Sequence, residues 1–248
     1  MRSMESMREQ HISIFGAQGH FGGRLLSRLG EIKPQGVYIE PVVEREKNRE
    51  AAFNSNLVIL TVRPSQVLET LNGIKTPLNT DAQILSFAAG VPLSQISKAA
   101  HRPSARMMSD PWFNVSAYVL GERFSKDKNE FIFNYLTRMK PIELTNDESI
   151  DRFTLLISQL FVAHILGRTG VIASAEQHAQ FIAAQLKCKP ELLMDLKTED
   201  DPQKALEVIE TSDRVSVSEK FRDALIKMPK VSPADLFVAV SEEFKHSE

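Results

Sequence analysis

The stretch that decides the fold is residues 11–26, which read HISIFGAQGHFGGRLL. A short apolar strand, Ile12–Phe15, leads into a glycine turn, and the turn leads into apolar residues at helical spacing. A strand, a glycine turn and a helix in this order place backbone N–H groups and a helix N-terminus against a pyrophosphate. Gly16, Gly19 and Gly22 are spaced G-x-x-G-x-x-G, one residue longer than the strict fingerprint. We therefore predict a nucleotide-binding turn, with a β–α turn that holds no ligand as the alternative.

Composition and charge narrow the class of protein. The chain has 248 residues, 42% hydrophobic and 25% charged, as is typical of globular domains. A formal net charge of −2 gives no support to nucleic acid or an anionic membrane surface as a partner. The single cysteine, Cys188, excludes an internal disulfide and fits a reducing, cytoplasmic location. Its lysine neighbours leave a lowered thiol pKa open, although a half-buried helical thiol is favoured.

Three further kinds of segment are not expected. Met1–Gln10 is polar, so it does not resemble a secretory signal. The longest apolar stretch, Phe153–Gly167, contains Ser158, Gln159 and His164 and is shorter than the roughly 18 residues that span a bilayer. We interpret it as a buried helix and predict no membrane partner. The sequence has no H-E-x-x-H, no paired cysteines and no EF-hand loop, so no metal site is predicted.

The first 145 residues alternate strand and helix patterns, which predicts a Rossmann-like, doubly wound and mostly parallel sheet. The predicted strands are Ile12–Phe15, Val37–Val43, Leu57–Val62, Ile84–Phe87, Ala105–Met108 and Val115–Leu120. The predicted helices are Phe21–Leu29, one that starts at Pro64, and Val91–Ala100. We assign residues 1–145 to a nucleotide-binding domain.

Residues 146–248 show helical patterns alone, so we assign them to a second, all-helical domain. The first helix carries apolar residues at helical spacing from Ile150 to Ile165. The other predicted helices are Ala173–Leu186, Pro190–Leu196, Pro202–Thr211, Val217–Met228 and Pro233–Phe244.

The second strand bears on which dinucleotide is bound. Glu40 lies 24 residues after Gly16, an acceptable spacing for a carboxylate on the ribose hydroxyls of NAD. Arg45, Lys47 or Arg49 would instead meet the 2′-phosphate of NADP, and a solvated charge run is the third possibility. Between this strand and Leu57 there is room for a short helix alone. A crossover helix and a strand of the usual half-fold are therefore shortened or missing.

Three downstream segments carry a resemblance to a known family. They read NLVILTVRPSQV (residues 56–67), ILSFAAGVPL (84–93) and ARMMSDP (105–111). Their order and spacing resemble the pyrroline-5-carboxylate reductase family, whose members read like "DVVILAVKP", "SIAAGV" and "RVMPNTP". The resemblance covers about Ile12 to Gly121. The helical remainder is similar in kind to the family's dimerisation domain, which implies a homodimer formed through that domain.

The resemblance implies an NADP or NAD cofactor and a set of residues that bind it. The turn would hold the pyrophosphate through Gly16, Ala17, Gln18, Gly19, His20, Phe21 and Gly22. The ribose and nicotinamide side would contact Val62, Arg63 and Pro64. The nicotinamide ring would approach the backbone at Ala88, Ala89 and Gly90. The resemblance names no catalytic residue.

The resemblance also implies that the loop Met108-Ser109-Asp110-Pro111 faces a small-molecule substrate. Reduction of a cyclic imine needs orientation and electrostatics from the protein, and an anionic substrate needs a cationic pocket. Arg63 and Arg106 are candidates for that pocket. A carboxylate partner near the end of its strand is the alternative role for Arg106.

This chain departs from the family pattern at several positions. Arg63 stands where the family has Lys, and Ser109-Asp110 replaces Pro-Asn. Residues 151–158 lack the glycines of the family's first long helix, and residues 211–216 lack its late glycine loop. We predict a reductase that transfers hydride to a small cyclic imine. A nucleotide-binding or interaction module without catalysis, and a deazaflavin-linked or prephenate-like dehydrogenase of the same superfamily, remain open.

Overall fold

A computed structural model describes residues 9–172, 175–194, 196, 201, 204 and 215–245. One seven-stranded sheet forms its centre, in the order β2-β1-β3-β4-β5-β6-β7. The strands are β1 (Gln10–Phe15), β2 (Val37–Val42), β3 (Leu57–Leu60), β4 (Gln83–Ser86), β5 (Ser104–Ser109), β6 (Ser116–Leu120) and β7 (Ile142–Glu143). The helices are α1 (His20–Ile32), α2 (Asn48–Asn54), α3 (Pro64–Ile74), α4 (Leu93–Ala100), α5 (Glu130–Tyr135), α6 (Asp147–Arg168), α7 (Glu176–Leu186), α8 (Glu191–Met194), α9 (Val215–Lys227) and α10 (Pro233–Lys245). The expected Rossmann-like fold with a helical C-terminal part is confirmed.

The sheet is covered on both faces, which explains its apolar strands. All four residues of β3 are buried, because helices pack above and below it. On one face Ile12, Ile14 and Ile59 pack with α1 and α5. On the other face Val58 and Leu60 pack with α2, α3 and α4. The side chains of neighbouring residues in each strand therefore enter two different cores.

The chain changes direction across the sheet between β1 and β3. Strand β1 pairs in parallel with both β2 and β3, so the two strands that follow β1 in sequence lie on either side of it. In open α/β sheets, ligands bind beside the carboxyl ends of the strands at this kind of switch point. The connection from β2 to β3 is the seven-residue helix α2, as the short spacing predicts.

The far side of the sheet differs from the expectation. Strand β6 runs antiparallel to β5, with Ala105 opposite Leu120 and Ser109 opposite Ser116. The two-residue strand β7 and the six-residue helix α5 carry too few residues for a periodic signal and were not predicted. Because β6 reverses direction, the chain reaches the helical part from the edge of the sheet where β5 begins.

Helix α6 joins the helical part to the sheet. Its N-cap is Asn146, whose side-chain oxygen accepts a hydrogen bond from Ser149 N at 2.9 Å. Eleven of its 22 residues are buried, in contact with β5 and β6 on one side and with the other helices on the other. It is long and apolar enough to cross a membrane, but 61% of its most apolar window is buried inside the protein. The helix predicted over Pro202–Thr211 lies, apart from residue 204, outside the described residues.

Candidate functional site

The glycine turn after β1 is held tightly against the end of β3. Gly16 has φ +89°, and a Cβ there would lie 2.9 Å from the backbone nitrogen of Val62. A Cβ on Gly22 would lie 2.2 Å from the Gly16 carbonyl oxygen. That carbonyl also accepts a hydrogen bond from Gly19 N at 3.0 Å, which closes the turn. Glycine is therefore required at 16 and 22 by the approach of backbone to backbone.

The turn directs the N-terminus of α1 toward solvent. Gly19 is the N-cap residue and supplies no side-chain hydrogen bond. Gln18, Gly19 and His20 are exposed. The N–H groups of the first turn have no acceptor inside a helix, and they carry the positive end of its dipole. This end of α1 can therefore receive an anionic group such as a pyrophosphate.

A cavity of about 500 Å³ opens beside the turn. It is lined by the turn, the end of β2, the first turn of α2, and α3, through residues that include Gly16, Gln18, Val42, Val43, Asn48, Arg49, Val62, Gln66, Glu69 and Thr70. It lies at the switch point between β1 and β3 and has the volume of a typical small-ligand pocket. The position and the size fit the adenosine half of a dinucleotide.

Glu40 lies apart from this cavity. Strand β2 continues for two residues beyond Glu40, to Val42, and the Glu40 side chain is exposed and does not line the cavity. Arg49, one of three cations in the following charge run, does line it. The predicted strand, Val37–Val43, ends within one residue of β2, so Glu40 was expected at the ribose from its spacing to Gly16 alone.

The other expected cofactor residues lie at the carboxyl ends of β3 and β4, which are neighbours in the sheet. Val62 lines the cavity, Arg63 is the N-cap of α3 and Pro64 is its first residue. Ala88 is buried, Ala89 is half-buried, and Gly90 has φ +70°. Below them the Phe21 ring packs on Phe87, with centroids 5.2 Å apart. The structure thus brings the turn and both strand ends to one edge.

The loop that was expected to face the substrate is instead turned inward. Met108, Ser109 and Asp110 are buried. Ser109 Oγ donates to the carbonyl of Val115 at 3.0 Å. Asp110 Oδ1 accepts from the backbone N–H groups of Asn114 (2.7 Å) and Val115 (2.8 Å), and Oδ2 accepts from that of Trp112 (2.8 Å). Burial raises the pKa of Asp110 to about 6, and these hydrogen bonds oppose the rise. These polar groups organise the loop itself.

Arg106 pairs with carboxylates, which is the alternative role that was left open for it. Its side chain is 0% exposed and projects between the sheet and the start of α6. Nη1 pairs with Asp147, and Nη2 donates to Asp151 at 2.6 Å. The second oxygen of Asp147 accepts from Leu93 N, at the start of α4, at 3.0 Å. The guanidinium therefore links β5 to α6 and, through Asp147, to α4.

An aromatic contact between the two parts of the chain was not predicted from the sequence. Trp112, in the loop after β5, stacks on Phe161 of α6 with ring centroids 5.5 Å apart. The Arg24 guanidinium lies over the Trp112 ring, 5.1 Å from its centroid. The signal was available, because Trp112 is the single tryptophan and directly follows the ARMMSDP segment. This contact closes the junction beside the carboxyl end of β5.

The remaining titratable candidates are explained by burial. Burial raises the pKa of the Cys188 thiol, which disagrees with the lowered value that its lysine neighbours left open. Burial also lowers the pKa of His164 and His178, which lie on α6 and α7. Within residues 9–172, 175–194 and 215–245 there is no group of three His, Cys, Asp or Glu side chains placed to hold a metal.

Comparison with known proteins shows that the fold is similar to that of several solved reductases and dehydrogenases. The pyrroline carboxylate reductase of Plasmodium falciparum, solved with NADP bound, is 12% identical with a TM-score of 0.54, over 95% of this chain and 97% of that one. A pyrroline-5-carboxylate reductase from Coxiella burnetii is 15% identical with a TM-score of 0.52, over 90% and 97%. The prephenate dehydrogenase of A. aeolicus, solved with hydroxyphenyl propionate and NAD+, is 11% identical with a TM-score of 0.53, over 98% and 89%. No family model and no curated sequence matches.

Proposed function

We propose that this protein is an NAD(P)H-dependent reductase that transfers hydride to a small cyclic imine, as pyrroline-5-carboxylate reductases do. The observation that carries the proposal is the cavity of about 500 Å³ beside the Gly16 turn at the switch point of the sheet. The sequence resemblance and the shared fold with reductases solved with NADP support the same activity. A cytoplasmic location and a homodimer formed through the helical domain belong to the proposal.

The cavity is lined by both Arg49 and Glu69, and Arg49 supports NADP as the cofactor. A carboxylate on the ribose 2′-hydroxyl would select NAD, but Glu40 lies outside the cavity. Arg49 lines the cavity and offers a guanidinium, which binds phosphate by paired, charge-assisted hydrogen bonds. We therefore infer that Arg49 contacts the 2′-phosphate.

When bound, the nicotinamide supplies the hydride, and the protein orients it. The N-terminus of α1 would hold the pyrophosphate and fix the position of the cofactor along the edge of the sheet. Ala88, Ala89 and Gly90 have little or no side chain, which lets a planar ring lie close to the backbone. The Phe21 and Phe87 rings beneath them keep that end of the site apolar.

Calorimetry tests the cofactor directly. We expect wild-type protein to bind NADPH more tightly than NADH. R49Q should weaken NADPH binding by about 10- to 100-fold, the equivalent of one charge-assisted contact, and leave NADH binding nearly unchanged. K98Q, an exposed substitution on α4, is the matched control. Absence of binding of either cofactor at millimolar concentration would refute the proposal, and equal effects of R49Q on both cofactors would refute the role of Arg49.

A second candidate is a nucleotide-binding module without catalysis. The observation in its favour is that Arg106, Ser109 and Asp110, expected at the substrate, are buried and bonded within the protein. An assay of NADPH oxidation with pyrroline-5-carboxylate distinguishes the two candidates. Proline formation supports the reductase, whereas NADPH binding without turnover of this or related imines and carbonyls supports the module.

A further inference from the structure

A second cavity, of about 620 Å³, lies at the opposite edge of the sheet from the glycine turn. Its position follows from the reversal of β6. Leu120 ends β6 opposite Ala105, and Gly121 N donates to the Ser104 carbonyl at 2.9 Å, at the beginning of β5. The glycine turn follows the carboxyl end of β1, so the second cavity is separate from the proposed cofactor site. We call it the amino-edge cavity.

The amino-edge cavity combines an apolar wall with charged groups of both signs. Leu93, Val119 and Leu120 form the apolar wall. Arg102 and Arg123 supply cations, and Glu122 and Asp147 supply anions. Hydroxyl and amide groups come from Ser94, Ser97, Thr145 and Asn146. Small-molecule pockets combine apolar contacts with a few polar groups that fix the orientation of the ligand, and this cavity offers both.

The Arg102 side chain and the backbone of the loop are held in place before any ligand arrives. The Arg102 guanidinium donates to the carbonyls of Leu78 at 2.7 Å and Asn79 at 2.9 Å. Gly121 fits closely, because a Cβ there would lie 2.6 Å from the Ser104 carbonyl oxygen. Arg123 adopts φ +62°, a left-handed conformation that is uncommon outside glycine. The loop is therefore bent sharply just where it lines the cavity.

We propose that the amino-edge cavity binds a free α-amino acid with a small aliphatic or ring side chain. A simple anion would be opposed by Glu122, and a simple cation by the two arginines. A zwitterion meets both signs at once, with its carboxylate toward Arg123 and its ammonium toward Glu122. Asp147 is already paired with Arg106, so Glu122 is the main acidic contact. The aliphatic part of the ligand lies on the apolar wall.

Calorimetry and thermal unfolding with a panel of amino acids test this proposal, independently of any reductase activity. The panel holds proline, valine, leucine, alanine and glycine, with pyrrolidine and cyclopentanecarboxylate as analogues that keep one charge each. We expect at least one aliphatic or cyclic amino acid to bind and to raise the melting temperature. Pyrrolidine and cyclopentanecarboxylate should bind at least about 10-fold more weakly than that amino acid, because each makes one set of charged contacts.

Variants at exposed residues separate this site from the cofactor site. R123Q and E122Q should each weaken amino-acid binding by about 10-fold or more and leave NADPH binding unchanged. K98Q, on α4 but outside the lining, and R49Q, in the cofactor cavity, should leave amino-acid binding unchanged. Circular dichroism confirms that each variant is folded. The proposal is overturned if no amino acid binds at 10 mM, if the one-charge analogues bind as tightly, or if R123Q and E122Q bind like wild type.

Discussion

The buried Arg106 gives the sharpest prediction about stability. Its guanidinium is fully buried, whereas the carboxyl side chains of Asp147 and Asp151 are 32% and 44% exposed. Replacing both acids by asparagine, in D147N/D151N, removes both negative charges and leaves the cation inside the protein. Removing the partner of a buried charge costs about 3–5 kcal/mol, because the remaining charge keeps its desolvation penalty. We expect the double variant to lose that much free energy of unfolding.

The single variants D151N and D147N should each lose less free energy of unfolding than the double variant. In D151N the amide oxygen can still accept from Arg106 Nη2, so we expect a loss of about 1 kcal/mol. In D147N one oxygen becomes an amide nitrogen, so the residue cannot serve both Arg106 and Leu93 N. One charged or backbone hydrogen bond is then lost, at about 2 kcal/mol.

Urea unfolding followed by circular dichroism measures these differences from the midpoint and the slope. K98Q is again the surface control. A double variant that loses less than about 1 kcal/mol would show that Arg106 does not depend on these carboxylates.

Three further predictions test the glycine turn, the loop that contains Asp110, and the contact between Trp112 and Phe161. G22A should weaken NADPH binding at least about 10-fold and lower stability, because its Cβ meets the Gly16 carbonyl oxygen. The control G30A, whose Cβ would have no atom within 4 Å, should stabilise α1 by about 0.5–1 kcal/mol. Calorimetry measures the binding, and urea unfolding measures the stability. The pKa of Asp110 is raised in the folded state, so protonation of this residue favours folding. The contribution of Asp110 to stability should fall by about 3 kcal/mol as pH rises from about 4 to about 6. D110N should lack this contribution when its pH series of unfolding curves is compared with that of wild type. F161A should cost about 3–5 kcal/mol and shift the emission of Trp112 to longer wavelength, and unchanged emission would argue against the stacked contact.

The sequence predicts those parts of this fold whose apolar residues follow the periodicity of a strand or a helix. The buried run at Leu57–Leu60 predicts a central strand, because a strand covered on both faces has no polar side. The glycine turn is predicted because the pattern of a strand ends there and the apolar spacing of a helix begins. The reversal of β6 was not predicted, since strand direction leaves no trace in side-chain alternation. Helix α5 and strand β7 are too short for a period to register.

The candidate site likewise contains residues that the sequence predicts and residues that it does not. The turn residues were found because close backbone approach demands glycine itself at 16 and 22. Glu40 was expected at the ribose from its spacing, and spacing along the chain does not show which side chains line a cavity. The roles of Arg106 and Asp110 depend on partners in loops and helices up to 45 residues away. No local pattern distinguishes a buried, paired charge from one that awaits a substrate.

Helix α6 has a mechanical consequence for the whole molecule. Asp147, its first residue, borders the amino-edge cavity, and Phe161, fourteen residues later, holds Trp112 beside the carboxyl ends of the strands. At 1.5 Å per residue the two are about 21 Å apart along one continuous helix. A continuous helix couples its first turn to the residues further along it. A displacement of the first turn of α6 is therefore expected to reach the wall of the junction on the opposite edge of the sheet.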